Sequence, residues 1–356
     1  MTTLFSPIQI GEMDLPNRLA MAPMTRSRAL PDGTPGELAA LYYTQRASMG
    51  LIISEGTQPS DDGQGYILSP GIYRPSHITG WRGVTDAVHA AGGHIFIQLM
   101  HAGRISHPDN TPHHRPGVAP SAIAPGVPIF TAHGLVDIPT PQALDEDGIA
   151  ATIDDFRLAA RCAIEAGADG VEIHGANGYL IHQFIAENSN QRQDAWGGDP
   201  VKRARFAAAV TSAVAAEIGP ERTGLRLSPG NLPHAGIDEG ERGHDVYRAL
   251  IPRLAELGMA YLHLIQGGDN DFLEEIRQSW PGALLVNRAG RPLDQIDADI
   301  KAGLADVAPV GAWALANPDL VERLKRGAAL NEPDRATFFG GGAHGYTDYP
   351  TLDGAV

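Results

Sequence analysis

Eight short apolar runs, each bounded by glycine, proline or polar residues, alternate along the chain with eight helical patterns. This rhythm constrains the fold more than any other feature. The runs cover residues 18–24, 51–56, 94–100, 170–174, 223–228, 260–266, 283–287 and 306–311. They lack polar alternation, as strands buried on both faces of a parallel sheet do. The helical patterns cover 36–49, 76–91, 147–166, 200–218, 245–257, 269–278, 292–302 and 318–325. In the third, apolar residues recur at Ile149, Ile153, Phe156, Ala160, Ala163 and Ile164. Asp199-Pro200 and Asn317-Pro318 pair a polar cap with proline at a helix start. Eightfold strand–helix alternation is the arithmetic of an α/β fold, the (β/α)8 TIM barrel, and it predicts one domain over residues 1–356 with a short N-terminal cap. An open doubly wound sheet is the rival, but the G-x-G-x-x-G turn expected after its first strand is missing.

One connection breaks the rhythm. Residues 101–145 show no clear periodicity and carry prolines at 108, 112, 116, 120, 125, 128, 139 and 141. A loop of that length inside a compact domain has a function or is disordered. It follows the third strand, so in a barrel it rises from the C-terminal face where substrates bind, and it reads as a lid or capping excursion.

Composition excludes several classes. With 27 basic against 42 acidic residues and a formal charge of -15, the surface is a poor partner for nucleic acid. No run reaches the roughly 18 apolar residues needed to cross a bilayer. The first residues lack the basic start and apolar run of a secretory signal, which predicts a cytoplasmic protein acting on a small molecule as a monomer or homodimer. The single Cys162 can form neither an internal disulfide nor a cysteine-rich zinc site.

In a barrel the C-terminal strand ends carry the chemistry. Here they read Pro23-Met24-Thr25, Glu55-Gly56-Thr57, Gln98 with His101, His174 to Tyr179, Arg226 with Ser228, Gln266-Gly267-Gly268, Arg288-Ala289-Gly290, and Gly311. Polar groups converging on one face of an apolar barrel need a ligand or one another. His174 and Asn177 stand three apart where a helix is expected to begin, a spacing that puts both side chains on one face. Each can donate to one oxygen, and Tyr179 beside them offers a phenolic proton. The alternative is that His174 satisfies a core carbonyl and Asn177 starts a turn. The histidines at 101, 107, 113 and 114 match no zinc spacing, and no G-x-S-x-G elbow is present. The loops of the seventh and eighth strands often hold phosphate in barrels, and Arg288-Ala289-Gly290-Arg291 and Val310-Gly311-Ala312 are placed for that.

Several stretches together resemble the old yellow enzymes, flavin-dependent alkene reductases built on one TIM barrel. These are NRLAMAPMTR (17–26), IISEGT (52–57), IQLMHAGR (97–104), DGVEIHGANGYLIHQFIAENSNQR (169–192), DAWGGD (194–199), LRLSPGN (225–231) and GYTDYP (345–350). The resemblance implies a tightly bound, non-covalent FMN across the barrel mouth and NAD(P)H as co-substrate. Thr25 would meet the flavin O4, Gln98 the pyrimidine edge and Arg226 the N1–O2 side, with Pro23, Met24 and Gly56 lining the ring. His174 and Asn177 would hold the activating oxygen of an enone, maleimide or nitroalkene. Tyr179 would protonate the carbon next to the one receiving hydride from flavin N5, and Tyr66 and Tyr346 would wall the pocket. Gly290 and Gly311 would approach the FMN phosphate. Nitrate esters and nitro compounds are alternative substrates. A non-flavin phosphosugar lyase would need a lysine or a carboxylate cluster at the strand ends, where only Glu55 stands.

Three positions depart from the family pattern. Ala312 stands where many members have a phosphate-binding arginine, so Arg288 or Arg291 is expected to supply that charge. Thr25 stands where another branch has cysteine. Met100 stands where several relatives have tryptophan, which predicts a roomier pocket near the lid.

Overall fold

A computed structural model describes residues 2–230, 235–267 and 270–354. Asn231, Gly268 and Asp269, named above, lie outside them. Eight parallel strands form the centre: β1 (Leu19–Met21), β2 (Leu51–Ile53), β3 (Ile95–Leu99), β4 (Gly170–Gly175), β5 (Thr223–Leu227), β6 (Tyr261–Ile265), β7 (Ala283–Asn287) and β8 (Ala308–Val310). They pair in the order β7-β6-β5-β4-β3-β2-β1-β8. A parallel bridge between Leu285 and Val307 joins the two ends and closes the barrel.

The helices that follow the strands are α1 (Glu37–Thr44), α2 (Pro75–Ala90), α3 (Glu146–Glu165), α4 (Arg205–Ile218), α5 (Gly243–Ala255), α6 (Asp271–Ser279), α7 (Ala298–Lys301) and α8 (Leu320–Arg326). Helix α3 buries Ile149, Phe156, Ala160 and Ala163, the stripe its periodicity predicts, and the Asp145 carboxylate caps it by accepting from the Gly148 N–H at 2.8 Å.

Along each strand, alternate side chains face the helices or the barrel axis. The inward residues of the lower barrel are apolar: Ala20, Leu51, Ile53, Phe96, Tyr261, Leu285 and Val307. Below them an antiparallel hairpin, Ile8–Ile10 with Met13–Leu15, inserts Ile10, Met13 and Leu15 and plugs the floor. This is the expected N-terminal cap. Two glycines make the floor possible. A Cβ at Gly170 would lie 2.4 Å from Phe96 Cζ, and one at Gly224 would lie 2.4 Å from Tyr261 Cζ. The two rings cross the barrel 5.4 Å apart, in the space those missing side chains leave.

Several sequence expectations need correction. Strands β1, β2 and β8 are shorter than expected, with three residues each. The fourth helical pattern breaks into Pro200–Arg203 and Arg205–Ile218. The Asp199 cap holds, accepting from the Val201 N–H at 2.9 Å. Asn317 caps no helix, since α8 starts at Leu320. Its buried amide instead donates to Asn331 O at 3.1 Å and accepts from the Asn331 N–H at 2.7 Å, pinning the chain after α8. Residues 101–145 are not without pattern: they carry a hairpin, Pro128–Thr131 with Gly134–Asp137, and a parallel pair, Val118–Ala119 with Gln142–Ala143. Among the described residues no helix is long and apolar enough to cross a membrane.

Candidate active site

Above the apolar floor the inward positions change character. Gln98, Glu172, Arg226 and His263 occupy them, from 0% to 6% exposed. The register brings them together, with Glu172 opposite Gln98 across β4–β3 and Arg226 opposite His174 and His263 on its two neighbours. The Gln98 amide N–H donates to one Glu172 oxygen at 2.7 Å and His263 Nδ1 lies 2.8 Å from the other. Burial raises the Glu172 carboxyl, but the His263 ring, Arg226 and the Gln98 amide outweigh it and hold the group below its ordinary value. Burial, opposed by Glu172, holds His263 below its own ordinary value, and its Nδ1 donates to the carboxylate, which can only accept. Arg226 Nε is buried with no hydrogen-bond partner among the described residues. A guanidinium left so incomplete beneath an open mouth fits an anionic or oxygen-rich ligand, such as the pyrimidine edge of a flavin.

His174 is the last residue but one of β4 and is 3% exposed. Its Nδ1 accepts from the Ala176 N–H at 3.2 Å, which leaves the proton on Nε2 as a donor. No helix begins at His174, contrary to expectation. The chain turns through Asn177 at φ 57° and Gly178 at φ 81°, and the next helix starts at Leu180. Left-handed backbone at a non-glycine residue needs support. The Asn177 N–H donates to Ser228 Oγ at 3.0 Å, and the Gly178 N–H donates to His182 Nδ1 at 3.0 Å. His182 Nε2 in turn lies 2.8 Å from the buried Glu239 carboxylate, to which Tyr247 Oη also donates at 2.6 Å. The chain between His174 and the next helix is therefore a braced turn, not a helical start.

Tyr179 is 7% exposed, and its hydroxyl lies 3.0 Å from that of Tyr66. Burial, followed by the neighbouring Tyr66, pushes its phenol well above the ordinary value, so it stays protonated at neutral pH. The His174 and Tyr179 rings meet edge to face at 5.0 Å.

Two cavities share Gly311 and Ala312. The first, about 830 Å³, includes Met24, Thr25, Tyr66 and Tyr179, and takes an apolar wall from Val127 to Phe130 of the 101–145 excursion. The second, about 610 Å³, lies between the β7 and β8 loops and includes Arg288, Gly290, Arg291 and Arg335. Arg288 and Arg291 both pair with the Asp299 carboxylate, at 3.0 and 2.7 Å. Two guanidiniums on one carboxylate leave a net positive charge beside Ala312.

Tyr346 is not a pocket wall. It is 1% exposed, stacks on Tyr42 at 4.2 Å and lies under the Arg28 guanidinium at 4.6 Å, so it belongs to the core. Phe338 and Phe339 line the first cavity instead. Sequence reasoning missed them, although an aromatic pair directly before Gly340-Gly341-Gly342 was a usable signal. Pro23, Gly56, Gln98, His174, Asn177 and Arg226 line neither cavity. A Cβ at Gly56 would lie 2.5 Å from Met100 Sδ, so the missing side chain serves packing against Met100, which is 2% exposed. Met100 thus fills space near the excursion and does not open it. Glu55, alone at its strand end, is buried and accepts from the Arg26 N–H at 2.8 Å, and burial raises its carboxyl to about 7.

The family model described as "NADH:flavin oxidoreductase / NADH oxidase family" matches residues 3–331. The chain belongs to that family. It is an oxidoreductase of the old yellow enzyme type, which sets aside the phosphosugar lyase. A Leishmania infantum protein named "Probable flavin mononucleotide-dependent alkene reductase" is 40% identical over 361 residues, covering 98% of this chain and 97% of its own. The structure of morphinone reductase in complex with tetrahydroNAD superposes with a TM-score of 0.94 at 44% identity, covering 98% of each chain. The old yellow enzyme homologue from Zymomonas mobilis gives 0.94 at 39% identity, covering 98% of this chain and all 100% of its own.

Proposed function

We propose that this protein is an FMN-dependent ene-reductase that uses NAD(P)H to reduce electron-poor alkenes such as enones, maleimides and nitroalkenes. The observation that carries the reading is the donor set at the mouth. His174 Nε2 keeps its proton because Nδ1 is occupied by the Ala176 N–H, the turn that carries Asn177 is braced by Ser228, and Tyr179 stays protonated. The chemistry FMN supplies when bound is two-electron relay between the nicotinamide and the alkene.

Arg226, Gln98 and Thr25 hold the flavin ring from the barrel side, with Met24 and the backbone around Pro23 and Gly56 completing its bed. His174 and Asn177 donate to the carbonyl or nitro oxygen of the alkene and stabilise the negative charge that develops there. Tyr179 gives its proton to the neighbouring carbon, and Tyr66 hands on a proton through the 3.0 Å contact between the two hydroxyls. The hairpin of the 101–145 excursion acts as a lid that keeps water from the site; Arg104 ties its base down, donating to Gly236 O at 2.9 Å. Gly290, Gly311 and Ala312 present backbone to the FMN phosphate, and Arg288 and Arg291 supply the charge that Ala312 lacks.

Purified protein is expected to be yellow and to oxidise NADPH or NADH when given cyclohexenone or N-ethylmaleimide. Asn177→Ala is expected to lower alkene turnover by roughly 10²–10³ while leaving flavin reduction by the nicotinamide intact. Colourless protein that binds no added FMN rejects the reading. Replacing Arg288 or Arg291 by Ala is expected to weaken FMN retention but not riboflavin binding; equal retention of FMN in both variants rejects their phosphate role.

A further inference from the structure

The mouth residues do not stand on an inert support. Glu172 lies one strand pleat below His174, on the same inward face of β4, and is 0% exposed. Both of its oxygens are engaged, one by the Gln98 amide at 2.7 Å and one by His263 Nδ1 at 2.8 Å. Its charge and that of Arg226 act on each other, each favouring the other's ionised form. The apolar floor begins directly beneath, so little solvent screens this pair. Nothing in the catalytic steps above uses Glu172.

We propose that Glu172 is a positioning and charge-setting residue: it fixes which end of the Gln98 amide meets the flavin, and it offsets Arg226 where reduced flavin gathers negative charge. The inference rests on the FMN reading and adds a residue to it. The first part follows from donor and acceptor inventory. An ionised carboxylate only accepts, so the nitrogen end of Gln98 is committed to Glu172 and the oxygen end is left for a donor. On the pyrimidine ring of a flavin the available donor is the N3 imide N–H. The second part follows from electrostatics. A buried guanidinium favours an anionic reduced ring, and a carboxylate beside it disfavours the same charge. The pair therefore sets the flavin's electron affinity at a value that lets it both accept from a nicotinamide and give to an alkene.

The test uses holoprotein and three flavins. Glu172→Gln removes the charge at nearly constant shape. It is expected to raise the affinity for reduced over oxidised FMN at least tenfold, read as a two-electron midpoint about 30 mV higher. Glu172→Asp keeps the charge but draws the carboxylate back from Gln98. It is expected to leave the midpoint near wild type and to lose most of the wild-type preference for FMN over N3-methyl FMN. An unchanged midpoint in Glu172→Gln overturns the charge role. Wild-type discrimination in Glu172→Asp overturns the positioning role, and this second variant decides if the first does not fold. A purely structural role would lower thermal stability in both variants without moving either readout. Failure of the wild-type protein to bind FMN or riboflavin would instead reject the cofactor reading itself.

Discussion

The lower and upper halves of the barrel are built from the same strands and opposite chemistry. Phe96 and Gln98 are neighbours on the inward face of β3, as are Tyr261 and His263 on β6. One pleat downward each strand presents a ring to a sealed apolar floor; one pleat upward each presents an amide or imidazole to a buried carboxylate. The floor is stabilised by burial, and within it the buried Tyr261 hydroxyl has no hydrogen-bond partner among the described residues. The upper layer carries Glu172 and Arg226 at a desolvation cost that the Gln98 and His263 contacts to Glu172 and the mutual influence of the two charges offset. On the proposed function, stability is concentrated below and reactivity above, and substitutions in the two halves should separate accordingly.

The largest separation is expected at Tyr179. Tyr179→Phe should slow alkene reduction by roughly 10²–10⁴ with thermal stability close to wild type, and rapid-mixing kinetics should show flavin reduction intact. A large loss of stability, or no loss of turnover, breaks the comparison from the upper side. Phe96→Ala opens a cavity in the floor and should cost about 3–5 kcal/mol in denaturant unfolding. Its residual folded fraction should turn over at the wild-type rate; a specific loss of turnover would show that floor and mouth are coupled. Gly224→Ala drives a methyl group into the Tyr261 ring, where only 2.4 Å is available, and should cost about 1–3 kcal/mol. The double variant Gly224→Ala, Tyr261→Phe should recover little, since the clash is with the ring and not with its hydroxyl.

The smallest effect sharpens the comparison at the rim. Glu55 has a carboxyl raised by burial from its ordinary 4.5 to about 7. Between those values the folded protein holds a proton that the unfolded chain releases, so unfolding free energy should fall as pH rises from 4.5 to 7 and then level off. Glu55→Gln should flatten that slope, as measured by denaturant unfolding at several pH values. An unchanged slope would assign the pH dependence to other groups.

Much of this was legible in advance. Strand β4 could be read directly because its apolar run ends in His174-Gly175 and begins after a clean helical stripe. Helix α3 could be read because one amphipathic face is enough to specify it. The 101–145 excursion was located by its length and prolines, but its hairpin was not, because strands of four residues with one face on a lid carry little alternation. Tyr346 was misplaced because a tyrosine near a glycine-rich segment has the same sequence signature whether it faces a cavity or stacks on Tyr42. Arg288 and Arg291 were identified as cations, but their common partner Asp299 lies 11 and 8 residues away on another element.

The sequence by itself determined the barrel and its family and supplied the residues proposed for the site, because alternation, strand-end chemistry and the HGANGYL run are local properties of the chain. Only the tertiary structure decided how those residues are held. The left-handed turn at Asn177 depends on Ser228, just past the end of β5, and on His182 braced by Glu239, and the state of Gln98 depends on Glu172 from the next strand. These are contacts between residues 50 to 75 positions apart, and closing the barrel is what brings them within hydrogen-bond reach.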